Sequence, residues 1–156
     1  MFLYQASAHD HCCVQNRIYN VLKPATKTLA QLISERTEFS IFKQALVETG
    51  YYDTLNTVNL TNPDRRWLTV LAETNQALLD SGFASYAALK ARYSNTGNPM
   101  NALDSLRIYV AYHIIPDNKY LADIVSANSH SSLQPLEVLA SKLEGEKVLI
   151  NDIEFN

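Results

Sequence analysis

Apolar residues recur at helical spacing through the first part of the chain. Between Thr28 and Gly50, Leu29, Leu32 and Ile33 keep the i, i+3, i+4 interval, and after "RTEF" a second run puts Ile41, Phe42, Ala45 and Leu46 on one face. Ser40 stands where a helix N-cap belongs, and Gly50 where a left-handed residue closes a helix. The stretch "YYDTLNTVNLTNPDRR" is polar and turn-rich, broken at Asn62-Pro63, and "RWLTVLA" behind it has the large and β-branched residues of a short strand. Thr74 or Asn75 can cap a helix over "QALLDSG" that ends at Gly82, and Ser85 can cap "YAALKARY", where Tyr86, Leu89 and Tyr93 form a stripe. "SNTGNP" reads as a loop. From Met100 onward Leu103, Leu106, Val110 and His113 return to helical spacing, and Pro116 marks the helix end or a turn into extended chain.

The tail differs. "PLEVLASKL", "EKVLI" and "IEF" are short segments separated by Glu144-Gly145 and Asn151-Asp152, and the latter pair suits a tight hairpin. Helices lead and strands follow, which predicts an α+β domain with segregated elements. With 156 residues the chain is one domain's worth, and no apolar run approaches the ~20 residues of a membrane span. A net charge of -3, with no basic cluster beyond Arg65-Arg66, removes the electrostatic footprint of a nucleic-acid binder. The first residues lack the charged start and apolar stretch of a secretory signal. Cys12 and Cys13 are the only cysteines, and adjacent cysteines rarely bridge each other because the ring is strained.

Candidate chemistry is sparse. His9, His11, Cys12 and Cys13 carry zinc-type donors, but their spacing is poor for a structural site, which draws pairs from two distinct elements. A flexible terminal segment or an adventitious metal binder is the plainer reading, so no cofactor is implied. His113, next to Tyr112, lacks the partners of a catalyst: the nearby acids are Asp117 and Asp123, and no Gly-x-Ser-x-Gly or His-Glu-x-x-His motif occurs. The alternative is a structural imidazole that donates from one nitrogen and accepts at the other within the core. All four glycines fall at turns or helix ends, leaving none for a phosphate loop. Tyr51, Tyr52, Trp67, Tyr86 and Tyr93 can form either core or a sugar-stacking surface. Asn59-Leu60-Thr61 is a glycosylation sequon.

Four blocks taken together are more specific than any one of these features. "SIFKQALVETGYYDTL" (40–55), "LTVLAETNQALLDSG" (68–82), "LRIYVAYHIIPDNKY" (106–120) and "LEVLASKLEGEKVLINDIEF" (136–155), in this order and spacing, resemble a fasciclin domain. Thr69, Val70, Ala72, Thr74, Asn75, Ala77 and Leu78 match the family's first hallmark, with Leu71 in place of its aromatic residue and Glu73 in place of its proline. Tyr112, His113, Ile114, Ile115 and Pro116 fit the second, the Tyr-His pair. The resemblance implies an α+β fold built on a wedge-shaped β-sandwich with helices beside it. It also implies a non-enzymatic adhesion or binding module, extracellular or at the cell surface, for a protein or polysaccharide partner, with Tyr112 and His113 as candidate binding residues. The alternatives are a small hydrolase or metal-dependent enzyme using His113 or the His9–Cys13 cluster, and an assembly subunit.

On this resemblance, residues 1–27 are an N-terminal extension and 28–156 the domain. The family's final strand, with a motif like Asn-Gly-Val-(Val/Ile)-His, is expected to be missing after Asn156. The edge left open beside "RWLTVLA" is then filled by a neighbouring chain, by the Met1–Asn20 segment, or not at all because the chain is a fragment.

Overall fold

The computed structural model describes residues 2–4, 27–57, 67–127, 129–134, 138–144, 147–150 and 153–155. The His9–Cys13 cluster, the sequon at Asn59, Arg65-Arg66 and the hairpin residues Gly145, Asn151 and Asp152 lie outside them.

Strand β1 (Phe2–Tyr4) precedes three helices, α1 (Leu29–Ser34), α2 (Ser40–Glu48) and α3 (Tyr51–Leu55). The Thr28 hydroxyl accepts from the Gln31 amide and the Gln31 side chain accepts from the Thr28 amide, so α1 begins with a reciprocal capping box. Ser40 does not cap α2. A 3-10 turn over Thr37–Phe39 runs straight into that helix, and Asn75 takes the capping role instead, its Oδ1 accepting from the Ile41 amide at 3.1 Å. Gly50 closes α2 at φ 80°, in the left-handed region. "YYDTL", expected to be turn, is helical because Leu55 is driven into the core and Tyr51 and Tyr52 pack against its rim.

Strand β2 (Thr69–Ala72) is followed by α4 (Asn75–Asp80), α5 (Tyr86–Tyr93) and α6 (Ser105–Tyr112), capped by Thr74, Ser85 and Asp104. Then come β3 (Ile114–Ile115), α7 (Leu121–Ala127), β4 (Ser129–Ser131), β5 (Val138–Glu144), β6 (Lys147–Ile150) and β7 (Ile153–Phe155). Among the described residues all strand pairs are antiparallel, in two sheets ordered β1-β2-β3 and β4-β5-β6-β7. The fold is α+β.

Within the segment expected to be an extension, Phe2–Tyr4 lies on the outer edge of β2, with Phe2 opposite Ala72, Leu3 opposite Leu71 and Tyr4 opposite Val70. Of the three fillers considered for that edge, the chain's own first residues occupy it.

Strand β2 is buried on both faces, and its alternation sorts the core into two clusters. Val70, Ala72 and Ile114 join the helical cluster with Ile33, Phe42, Leu46, Leu89, Leu106 and Val110. Leu71 and Ile115 face the other way, toward Ile124, Leu139 and Ile150, so residues of both sheets and α7 share the second cluster. A hydrogen bond from the Leu133 amide to the Ile114 carbonyl, 2.8 Å, ties the second sheet's connection to β3.

Candidate functional site

His113 closes α6 and joins it to the first sheet. Its amide donates to the Val110 carbonyl at 3.1 Å, and its carbonyl accepts from the Leu71 amide at 2.9 Å. The ring lies against Phe42, edge-on at 5.5 Å, and against Tyr109 at 4.7 Å. Nδ1 is 2.8 Å from the Tyr109 carbonyl, which can only accept, so Nδ1 carries a proton. Nε2 faces Glu73 Oε1 at 3.7 Å, with the two side chains 15% and 23% exposed. Glu73, standing where the resemblance expects proline, also accepts from the Tyr109 hydroxyl. Tyr109 stacks on Tyr93 at 4.7 Å, and Tyr93 meets Phe83 at 5.7 Å, giving a row of rings from α6 outward.

A carboxylate beside an imidazole is half of an acid–base device. The other half is a nucleophile and a cleft for substrate. No hydroxyl or thiol among the described residues is hydrogen-bonded to the His113 ring. A groove of about 470 Å³ runs between α2, α4 and α5, lined by residues such as Ser40, Gln44, Gln76 and Leu79, and neither His113 nor Glu73 lines it. The geometry makes His113 a pin between three elements. Tyr112 sits on the opposite side, half-buried against the second cluster.

His130, which the sequence does not single out, is the other engaged imidazole among the described residues. Its Nε2 lies 2.9 Å from the Ile124 carbonyl and 3.0 Å from Ser141 Oγ, and the Ser141 hydroxyl also donates to Ile124. Ile124 is in the last turn of α7, where carbonyls lack helical partners, so the pair satisfies a helix end. Because Nε2 donates to that carbonyl it cannot act as a base on Ser141, and both side chains are buried. The only hint in the sequence is Ser-His-Ser alternation, which gains meaning once β5 is alongside.

Asp104 is a fully buried acid. Burial pushes its carboxyl upward, but hydrogen bonds from the Thr96 hydroxyl and amide, the Ser94 hydroxyl and the Leu106 amide together hold it below its ordinary value. It ties the 94–98 loop to the start of α6. Nearby, burial first and then the Glu48 and Asp104 carboxylates push the Tyr86 hydroxyl up to about 12. That hydroxyl has no well-formed hydrogen bond. Tyr86→Phe is therefore expected to leave stability unchanged or raise it by up to ~1 kcal/mol in urea unfolding, whereas a loss above ~1 kcal/mol would show the Glu48 contact to be stabilising.

No group of three or more metal-ligating side chains exists among the described residues. Exposed apolar side chains are spread over α2, α4, the loop before α6 and β5, and three of them flank the turn at the start of the first sheet. The Thr69 hydroxyl donates to the Asp117 carbonyl at 2.8 Å and accepts from the Lys119 amide at 2.9 Å, folding the turn after β3 over the start of β2. Trp67, Tyr120 and Leu121 flank that turn, 66%, 45% and 53% exposed. Of the aromatic set noted in the sequence, Tyr86 is buried, Tyr51, Tyr52 and Tyr93 are half-buried, and Trp67 is open to solvent.

These features describe a small α+β module in which His113 and His130 fasten elements together and Trp67 is, among the described residues, the most exposed aromatic side chain. Comparison with protein families matches residues 37–155 to the Fasciclin domain, most of the chain, and the chain belongs to that family. Fasciclin domains are generally non-enzymatic adhesion modules of extracellular or surface proteins. Comparison with curated proteins finds no match. No helix among the described residues is long and apolar enough to cross a membrane.

Proposed function

We propose that the chain is a non-catalytic adhesion module, working outside the cell or at its surface, that engages a protein or polysaccharide through Trp67, Tyr120 and Leu121. The observation that carries this reading is Trp67, an indole two-thirds exposed just ahead of β2, whose first residue Thr69 holds the Asp117–Lys119 turn. Burying such a ring on a partner contributes strongly to binding, and tryptophan and tyrosine lead among residues that dominate interfaces. In this reading His113 holds α6, β2 and β3 in register behind that face. Tyr112 helps to hold the second sheet, and the two sheets complete the wedge-shaped sandwich.

The test is a screen of immobilised matrix proteins and polysaccharides with the wild-type chain, then with Trp67→Ala. The variant is expected to keep its melting temperature and lose roughly 30-fold in affinity, about 2 kcal/mol. Wild-type binding that Trp67→Ala leaves intact would remove this face from the reading, and a wild-type chain that binds nothing on the array would remove the adhesion role.

A further inference from the structure

The groove between α2, α4 and α5 is lined by neither Trp67 nor the residues of the His113 pin. We propose that it binds an uncharged saccharide, two linked sugar rings long, as a second recognition site of the module. The inference stands on the groove alone and does not depend on any partner of Trp67.

The lining selects the ligand. Among the described residues no charged side chain lines the groove, so neither an anion nor a cation meets a counter-charge there. Its polar groups are hydroxyls and carboxamides, which exchange hydrogen bonds with sugar hydroxyls in both directions. Ser40 Oγ accepts from Asn75 Nδ2 at 3.0 Å and keeps its own proton to donate. Ser85 Oγ accepts from the Ala88 amide at 3.3 Å and is left in the same state. Gln76 Nε2 donates to Asp80 at 2.7 Å, which leaves its Oε1 as an acceptor, and the exposed Gln44 carboxamide makes no hydrogen bond among the described residues. Ile41 and half-exposed Leu79 add the apolar surface that suits the C–H face of a sugar ring.

The shape is set before any ligand arrives. Asn75 Oδ1 accepts from the Ile41 amide, and its Nδ2 donates to the Thr37 carbonyl as well as to Ser40, so the starts of α2 and α4 are fixed on one another. The volume of about 470 Å³ falls within the ~300–1,000 Å³ usual for small-molecule sites. Other occupants fit less well. A wholly apolar ligand would strip water from these polar groups and replace none of their hydrogen bonds. An extended peptide takes its main-chain hydrogen bonds from a sheet edge and a helical one needs an apolar trough, whereas this groove runs between helices and is rich in polar groups.

The test is an amide NMR titration of the whole chain with maltose, cellobiose and lactose, each taken to about 50 mM. At least one is expected to shift the Gln44, Gln76 and Ser85 amides along a saturating curve, with half-saturation on the order of a millimolar, as befits an open site with few partners. Gln44→Ala should weaken that sugar about five- to tenfold and Leu79→Ala about threefold. Both are exposed helical positions where alanine is well tolerated, so the fold is kept. Trp67→Ala should leave the curve unchanged, which separates this site from the Trp67 face. The proposal is overturned if none of the three sugars gives a saturating shift, if the shifts gather on Trp67 and Tyr120 instead, or if both groove variants bind as the wild type does. An uncharged peptide probe, acetyl-trialanine amide, matching the sugar's curve at the same residues would overturn it too.

Discussion

Asp104→Ala is expected to lower the melting temperature by roughly 6–12 °C. The substitution removes the N-cap of α6, about 1 kcal/mol, and strands the Ser94 and Thr96 donors that now converge on Oδ2, a further ~2 kcal/mol. A domain of this length loses about 2–4 °C per kcal/mol. The effect also depends on pH with a definite sign. The folded-state carboxyl sits below its ordinary value of 3.8, so its contribution is complete above that value and is lost as pH falls through the depressed folded-state value. Thermal unfolding of the wild type and Asp104→Asn should therefore differ by a constant amount from neutral pH down to about pH 5, and the gap should narrow below about pH 4. A gap that stays level or widens in acid would show that the ionised form of Asp104 is not what holds the loop.

Phe42→Ala should cost still more, about 3–5 kcal/mol in urea unfolding with an unchanged denaturant slope. Phe42 is completely buried on α2, and its ring is the edge-on wall of the His113 imidazole. Truncation opens a cavity among residues already packed from helices and sheet, and removes the support on one side of the pin. Phe42→Leu, which keeps most of the volume, should lose markedly less. A cost below ~1.5 kcal/mol for the alanine variant would mean that α2 collapses onto the void and that the His113 wall is dispensable.

Much of this architecture is legible in the amino acids, because the helices that bury a stripe announce it. Phe42, Ala45 and Leu46, or Leu106 and Val110, are buried at the interval their spacing predicts, and Thr74 and Ser85 cap the helices they precede. What escapes reading is structure whose reason lies elsewhere in the chain. Helix α7 buries Ile124 fully while Leu121 stays exposed, so its stripe is thin, and adjacent Ile124 and Val125 look like strand. Ser40 has the right chemistry for a cap but is displaced by Asn75, a residue on another helix. Strand β1 is three residues long and finds its partner far along the chain, which no local pattern encodes. At the site, the Tyr112-His113 pair is visible as a motif, but the Glu73 carboxylate that faces the imidazole sits in β2's outgoing turn and is visible only as a departure from the family pattern. Asp104 carries a signal that can be read, an aspartate immediately before a helical run.

The alternation in β2 has a consequence for how the molecule fails. Val70 and Ala72 belong to the helical cluster and Leu71 to the cluster shared by the two sheets, so one strand is the common wall of both. Melting the helices uncovers one side of that wall and peeling away the second sheet uncovers the other, and either event removes the packing that keeps the wall in place. The two clusters are thus expected to unfold together, and near-UV and far-UV circular dichroism should report one shared transition.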